Sequence, residues 1–187
     1  MDREFAVYEI PSEAPEEYEE LGTKEKFWFH HEEFGQCLYK KARTNTGEAW
    51  SEKIAAELCE LLMLPHAKQE LALYDRQQGT ISPAFLPKNG SLNTGNEILA
   101  QIFWDYPENI HNLSQHTLKN IFNVMDRSVV DLPLNWQAPP KIETAIDTFV
   151  GYLLLDAWIG NSDRHHENWG FINFNGKSYL APTYDHA

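Results

Sequence analysis

The residues best suited by type and spacing to do chemistry lie in the stretch Gly160 to Ala187, GNSDRHHENWGFINFNGKSYLAPTYDHA. Asp163 and Asn168 sit in the polar run NSDRHHEN, and Asp185 follows two aromatic-rich runs, WGFINF and KSYLAP, joined by Asn-Gly. An Asn-Gly pair between such runs signals a tight hairpin. A hairpin returns the chain to where it left, so Asp185 is expected to face Asn168 across a small gap. An Asp carboxylate with an Asn carbonyl is hard oxygen ligation, suited to Mg²⁺, which keeps waters and completes its shell from substrate phosphates. Asp163, a few residues earlier, can orient a hydroxyl nucleophile. Together these form a minimal polar set for phosphoryl transfer. The alternative is a metallohydrolase cluster of His166, Glu167 and His186, but the chain has no HExxH and no spaced histidine pair on a helix. His165, by its type, could also be a metal ligand.

The elements that must position these groups follow from periodicity. EFAVYEI reads as a short strand, and KFWFHH with QCLYKKAR as an antiparallel hairpin around Phe34-Gly35. TNTGEAWSEKIAAELCELLMLP predicts a helix stopped by Pro65, with Trp50, Ile54, Leu58, Leu61 and Leu62 as its apolar face. QELALYD and TISPAFLP form a second hairpin turning at RQQG, and KNGSLNTGN is the best linker candidate. Beyond it EILAQIFWDY, SQHTLKNIFNVMD and KIETAIDTFVGYLLLDAWIG predict helices, interrupted by an irregular loop at Pro133 to Pro140. Trp104, Trp136, Trp158 and Trp169 read as core or lobe-interface aromatics.

With 187 residues, 42% of them hydrophobic, the chain can bury one sizeable core or two small ones. A net charge of −13 repels phosphate polymers and anionic membranes, so neither nucleic-acid nor membrane binding is expected. Cys37 and Cys59 lack metal or redox spacing and suit buried thiols in a reducing compartment, the cytoplasm by default. The opening residues are acidic where a secretory signal is basic then apolar.

Asp163-Arg164-His165, two residues and Asn168 resemble the catalytic loop of HipA-like kinases and of phosphoinositide kinases, which implies that His165 is a structural residue holding its neighbours in place. YLAPTYD, ending at Tyr184-Asp185, favours the HipA-like family, whose hairpin ends in Leu-x-Pro-x-Tyr-Asp. Upstream, LGTKEK resembles the family's phosphate-binding loop, which implies that Gly22, Thr23 and Lys24 cover phosphates. The strand LYK resembles the one bearing the nucleotide lysine, Lys40, with Lys41 as the fallback. Glu52 falls where the family keeps that lysine's acidic partner, and ISPAFLP, with Phe85 and Leu86, resembles the strand and hinge that receive adenine.

The resemblance implies an α+β, two-lobed protein-kinase-like fold: an antiparallel-sheet N-lobe with one long helix over residues 1–90, and a mainly helical, incomplete C-lobe with a small catalytic hairpin over 91–187. It implies ATP and Mg²⁺ as cofactors, Asp163 as the catalytic residue, Asn168 and Asp185 as metal ligands, a protein hydroxyl as substrate, serine/threonine specificity, and a possible toxin role with an antitoxin-like protein partner. Family members continue past the metal aspartate, so this chain is expected to be a fragment or a truncated relative. Two alternatives stay open: a non-catalytic kinase-like regulatory module, and a phosphoinositide-type lipid kinase, which the acidic surface disfavours.

Overall fold

A computed structural model describes residues 4–18, 25–107 and 114–187. The expected phosphate loop at Gly22, Thr23 and Lys24 lies outside them. Two compact units emerge, one from residues 1–58, 67–85 and 187, the other from 59–66 and 86–186.

The first unit is a six-stranded sheet ordered β1-β5-β6-β4-β3-β2. Its strands are β1 (Val7–Ile10), β2 (Glu17–Tyr18), β3 (Lys26–His31), β4 (Gly35–Lys41), β5 (Glu70–Tyr74) and β6 (Gln77–Pro83). The predicted β3–β4 hairpin forms in the register Phe27↔Tyr39 and Phe29↔Cys37. Alternation sends those four residues into one core with Ile10, Ala72 and Ile81. Cys37 and Cys59 are both buried thiols. The sheet departs from the antiparallel expectation at one edge, where β1 runs parallel to β5. The β5–β6 turn also moves. Asp75 and Arg76, at φ 46° and 60°, make it, and Gln77 to Gly79 already belong to β6. Left-handed φ at both central residues is the twist-matched hairpin geometry, so the turn did not need the glycine.

Helix α1 (Glu48–Leu62) has the predicted extent but the opposite orientation. Ala49, Glu52, Lys53, Ala55, Ala56 and Cys59 are buried, whereas Trp50, Ile54 and Leu61 are 58%, 43% and 78% exposed. Small side chains let the helix lie close to its support, and two charged residues are buried because they find partners. Lys53 Nζ meets Glu57 Oε1 and Glu70 Oε2, each at 2.8 Å. Two carboxylates offset the desolvation of the ammonium and raise its pKa. Ile54→Ser is therefore expected to leave stability within about 0.5 kcal/mol. Ala55→Leu, at a 2% exposed site, is expected to cost about 1–3 kcal/mol by overpacking. Chemical denaturation of the two variants checks this.

The second unit joins a three-stranded antiparallel sheet, β7-β8-β9, to three helices. They are β7 (Ser91–Thr94), α2 (Gly95–Ile102), α3 (Leu118–Arg127), α4 (Ala145–Ile159), β8 (Gly170–Phe174) and β9 (Lys177–Leu180). The proposed linker KNGSLNTGN is largely structure, since Ser91–Thr94 pairs with β8. Its polar composition is that of an edge strand, and the change of unit falls just before it, between Phe85 and Leu86. The β8–β9 hairpin turns at Asn175 and Gly176, at φ 51° and 75°, as the sequence predicts. Thr144 caps α4: its hydroxyl accepts from the Asp147 amide at 3.1 Å, while the Asp147 carboxylate accepts from the Thr144 amide at 2.9 Å. Phe149 and Tyr152 on α4 enter a core with Leu99, Val124, Trp169 and Leu180. The tryptophan expectation divides. Trp169 is buried, but Trp104 is 97% and Trp158 60% exposed. No helix among the described residues is long and apolar enough to cross a membrane.

Candidate functional site

Helix α4 is apolar nearly all round, yet Asp156 interrupts its last turns and is 5% exposed. A buried carboxylate requires a partner. The chain supplies one by stopping the helix at Gly160, which takes the left-handed φ of 73° that side chains resist, and turning into the polar loop. Arg164 then reaches back. Its Nε donates to Asp156 Oδ2 at 2.8 Å and its Nη2 to Oδ1 at 2.7 Å, a bidentate pair with both side chains 7% exposed. The Asn161 amide donates to the same Oδ1 at 2.8 Å.

The remaining arm of Arg164 organises the loop. Nη1 donates to the carbonyl of Asn168 at 2.6 Å and to that of Tyr184 at 3.0 Å. One guanidinium thus brings the backbone of the first expected metal ligand beside the residue preceding the second. Tyr184 closes the same ring, its hydroxyl donating to the Glu167 carbonyl at 2.8 Å. Burial pushes that phenol far above its ordinary pKa, so it stays a donor.

Within this frame Asn168 is buried, and its Nδ2 donates to the Asp163 carbonyl at 2.8 Å, which orients the amide and turns Oδ1 the other way. Asp163 is anchored by its main chain, its amide donating to Asn161 Oδ1 at 2.9 Å and its carbonyl accepting from His165 at 2.7 Å. Its side chain is 83% exposed. Asp185 takes a φ of 58°, a conformation Asp tolerates better than most residues. His165 accepts the Glu167 amide on Nδ1 at 3.2 Å, the structural part expected of it. Among the described residues no three His, Cys, Asp or Glu side chains form a metal cluster, so the metallohydrolase reading has no geometric support. An Asn oxygen and an Asp carboxylate are hard donors, and they fit a divalent cation that takes most of its shell from water and phosphate.

In the first unit, Lys40, Glu48, Ala49, Glu52 and Thr80 line one small cleft. Lys41 also borders it, but its ammonium is engaged by Glu25 at 2.8 Å. Glu52 is buried, and its Oε1 accepts the amide of Ala187, which groups with this unit, at 3.0 Å. Phe85 and Leu86 follow the end of β6, half-buried and 39% exposed respectively.

Residue reasoning missed Arg164 and Asp156 as an organising pair and Lys53 as a buried cation. A lone Asp inside YLLLDAWIG is the signal that could have found the first pair.

This combination of a sheet unit with one long helix and a helical unit carrying a loop and hairpin is the HipA-like kinase fold. Several solved structures bear the likeness, among them the following two. A proinflammatory kinase of Helicobacter pylori, CtkA, matches with a TM-score of 0.65 at 20% identity, over 86% of this chain and 53% of that one. HipA of Shewanella oneidensis MR-1, solved in a toxin–antitoxin complex with HipB and operator DNA, matches with a TM-score of 0.58 at 12% identity, over 95% and 45%. The chain therefore spans about half the length of the solved chains it resembles. No protein-family profile matches the sequence, and no curated protein matches it. Because a protein of this fold was solved with operator DNA, net charge alone does not exclude nucleic acid from such assemblies.

Proposed function

We propose that this chain carries the nucleotide and catalytic apparatus of an ATP-dependent protein serine/threonine kinase of the HipA-like kind. The observation that carries the reading is the Arg164 bracket, which draws Asn168 and Tyr184-Asp185 together beside the exposed Asp163. In this reading Asp163 aligns the attacking hydroxyl and receives its proton. Asn168 Oδ1 and Asp185 hold Mg²⁺, which when bound supplies charge neutralisation at the phosphates. Lys40, kept in place by Glu52, neutralises the α- and β-phosphates. Catalysis is then mainly positioning and preorganised charge. The expected phosphate loop, Gly22 to Lys24, and the adenine seat at Phe85 and Leu86 complete the proposed contacts.

Asp185→Ala is expected to weaken ATP binding about tenfold in the presence of Mg²⁺ and to leave metal-free binding unchanged. Calorimetric titrations with and without EDTA check this. Equal weakening in both would remove Asp185 from the metal role.

A second reading, a non-catalytic module regulating a protein partner of the antitoxin type, is favoured by the outer face of α4. Val150, Leu154 and Trp158 are 48%, 66% and 60% exposed there. Radiolabel transfer from γ-labelled ATP, set beside a thermal-shift titration with Mg-ATP, separates the two. Binding without transfer favours the module.

A further inference from the structure

His166 and Trp169 belong to the catalytic loop yet have no part in the chemistry proposed for Asp163, Asn168 and Asp185. Both are 2% exposed. Their side chains are gripped by Tyr106 and His116, two residues between α2 and α3. The Tyr106 hydroxyl is bonded to His166 Nδ1 at 2.8 Å in a buried contact. Trp169 Nε1 donates to His116 Nε2 at 3.1 Å, and the two ring planes lie 11° from parallel with their centroids 6.4 Å apart, an edge-to-edge pair.

The main chain repeats the arrangement from the other end of α2. The amide of Gly95 donates to the Trp169 carbonyl at 2.9 Å and that of Asn96 to the His166 carbonyl at 3.0 Å. Close approach is needed here, since a Cβ on Gly95 would stand 2.5 Å from the His166 carbonyl oxygen and 2.3 Å from the Trp169 ring. Each of these two loop residues is thus held twice, by backbone and by side chain, and Asn168 lies between them.

The chemistry of the grips suits a fixed support. Burial raises the Tyr106 phenol to about 12, keeping it neutral. Burial, then the neighbouring His166 and His165, lowers His116 to about 4, so its ring can accept the indole proton near neutral pH.

We infer that Tyr106 and His116 are positioning residues that fix the catalytic loop, and with it the Asn168 oxygen, through His166 and Trp169. This rests on the phosphotransfer reading of the loop. Neither residue touches nucleotide or acceptor in this account. Loss of a grip is expected to act on the rate of transfer, because a misplacement of about 1 Å at a reacting centre can cost about a hundredfold.

The test uses the whole chain with Tyr106→Phe, His116→Phe and His116→Gln. Phenylalanine at 116 keeps a ring of similar volume and loses the acceptor, whereas glutamine restores an acceptor. Hydrogen exchange by mass spectrometry over 161–169, with 148–155 of α4 as internal reference, is read beside single-turnover release of phosphate from Mg-ATP. Expected are loop exchange about tenfold faster with the α4 reference unchanged, and transfer about 10–100-fold slower at an ATP KM within about twofold. His116→Gln should fall between His116→Phe and the parent. Unchanged loop exchange, or a rise shared equally by α4, overturns the inference, as does a raised KM at unchanged rate. Should the parent chain bind Mg-ATP yet transfer nothing, the phosphotransfer reading fails by itself. Loop-confined exchange then still supports the grip, and its absence overturns it.

Discussion

Asp163→Ala is expected to slow phosphoryl transfer about 10²–10⁴-fold while leaving the Kd for Mg-ATP within about twofold. The division follows from how Asp163 is held. Its amide and carbonyl do the structural work, bonded to Asn161, His165 and Asn168, and alanine keeps all three. Its carboxylate is largely in water, so removing it opens no cavity. Asp163→Asn, isosteric but unable to take a proton, should be nearly as slow. Single-turnover transfer and nucleotide titration on the same preparations measure both quantities. A parallel loss of affinity and rate would take the general-base role away from Asp163.

Asp156→Ala carries the other large expected effect, and on stability. The substitution removes both carboxylate bonds to Arg164 and leaves a guanidinium that is 7% exposed with only carbonyl partners. Breaking one side of a buried ion pair costs about 3–5 kcal/mol. The double variant Asp156→Leu with Arg164→Leu should be less destabilised than the sum of its single changes, since no lone charge remains. Denaturant unfolding followed by intrinsic fluorescence tests the cycle. A loss below about 1 kcal/mol for Asp156→Ala would show that solvent reaches the guanidinium and that the bracket is not a buried pair.

The sequence was most readable where local chemistry dictates structure. Asn175-Gly176 between aromatic runs signals a tight turn, and the chain turns there; the last long helix was read from Lys141 but begins at Ala145, where Thr144 and Asp147 cap it. Asp163 and Asn168 were singled out by type and spacing, and in the structure the Asn168 side chain reaches the Asp163 carbonyl. Long-range packing was less readable. The apolar face of α1 was assigned from Trp50, Ile54 and Leu61, but burial went to alanines and to Lys53, whose partner Glu70 lies on a strand that no helical periodicity reveals. KNGSLNTGN looked like a linker because an edge strand with polar side chains has the composition of a loop. The grips on His166 and Trp169 come from Tyr106 and His116, whose separation in sequence carries no pattern. Such contacts are fixed by the tertiary fold and are invisible to local rules.

The Arg164 bracket is also economical in chain entropy. Its partners lie 8 residues away at Asp156, 4 at Asn168 and 20 at Tyr184. By comparison, the Asn173–Asn93 bond across β7 and β8 closes a separation of 80. Loop closure grows more costly by about 0.6 kcal/mol for each doubling of length, so going from 20 to 80 adds about 1.2 kcal/mol. The polar frame of the site is therefore drawn from one short run of chain, and its closure depends little on where the distant ends of the polypeptide lie.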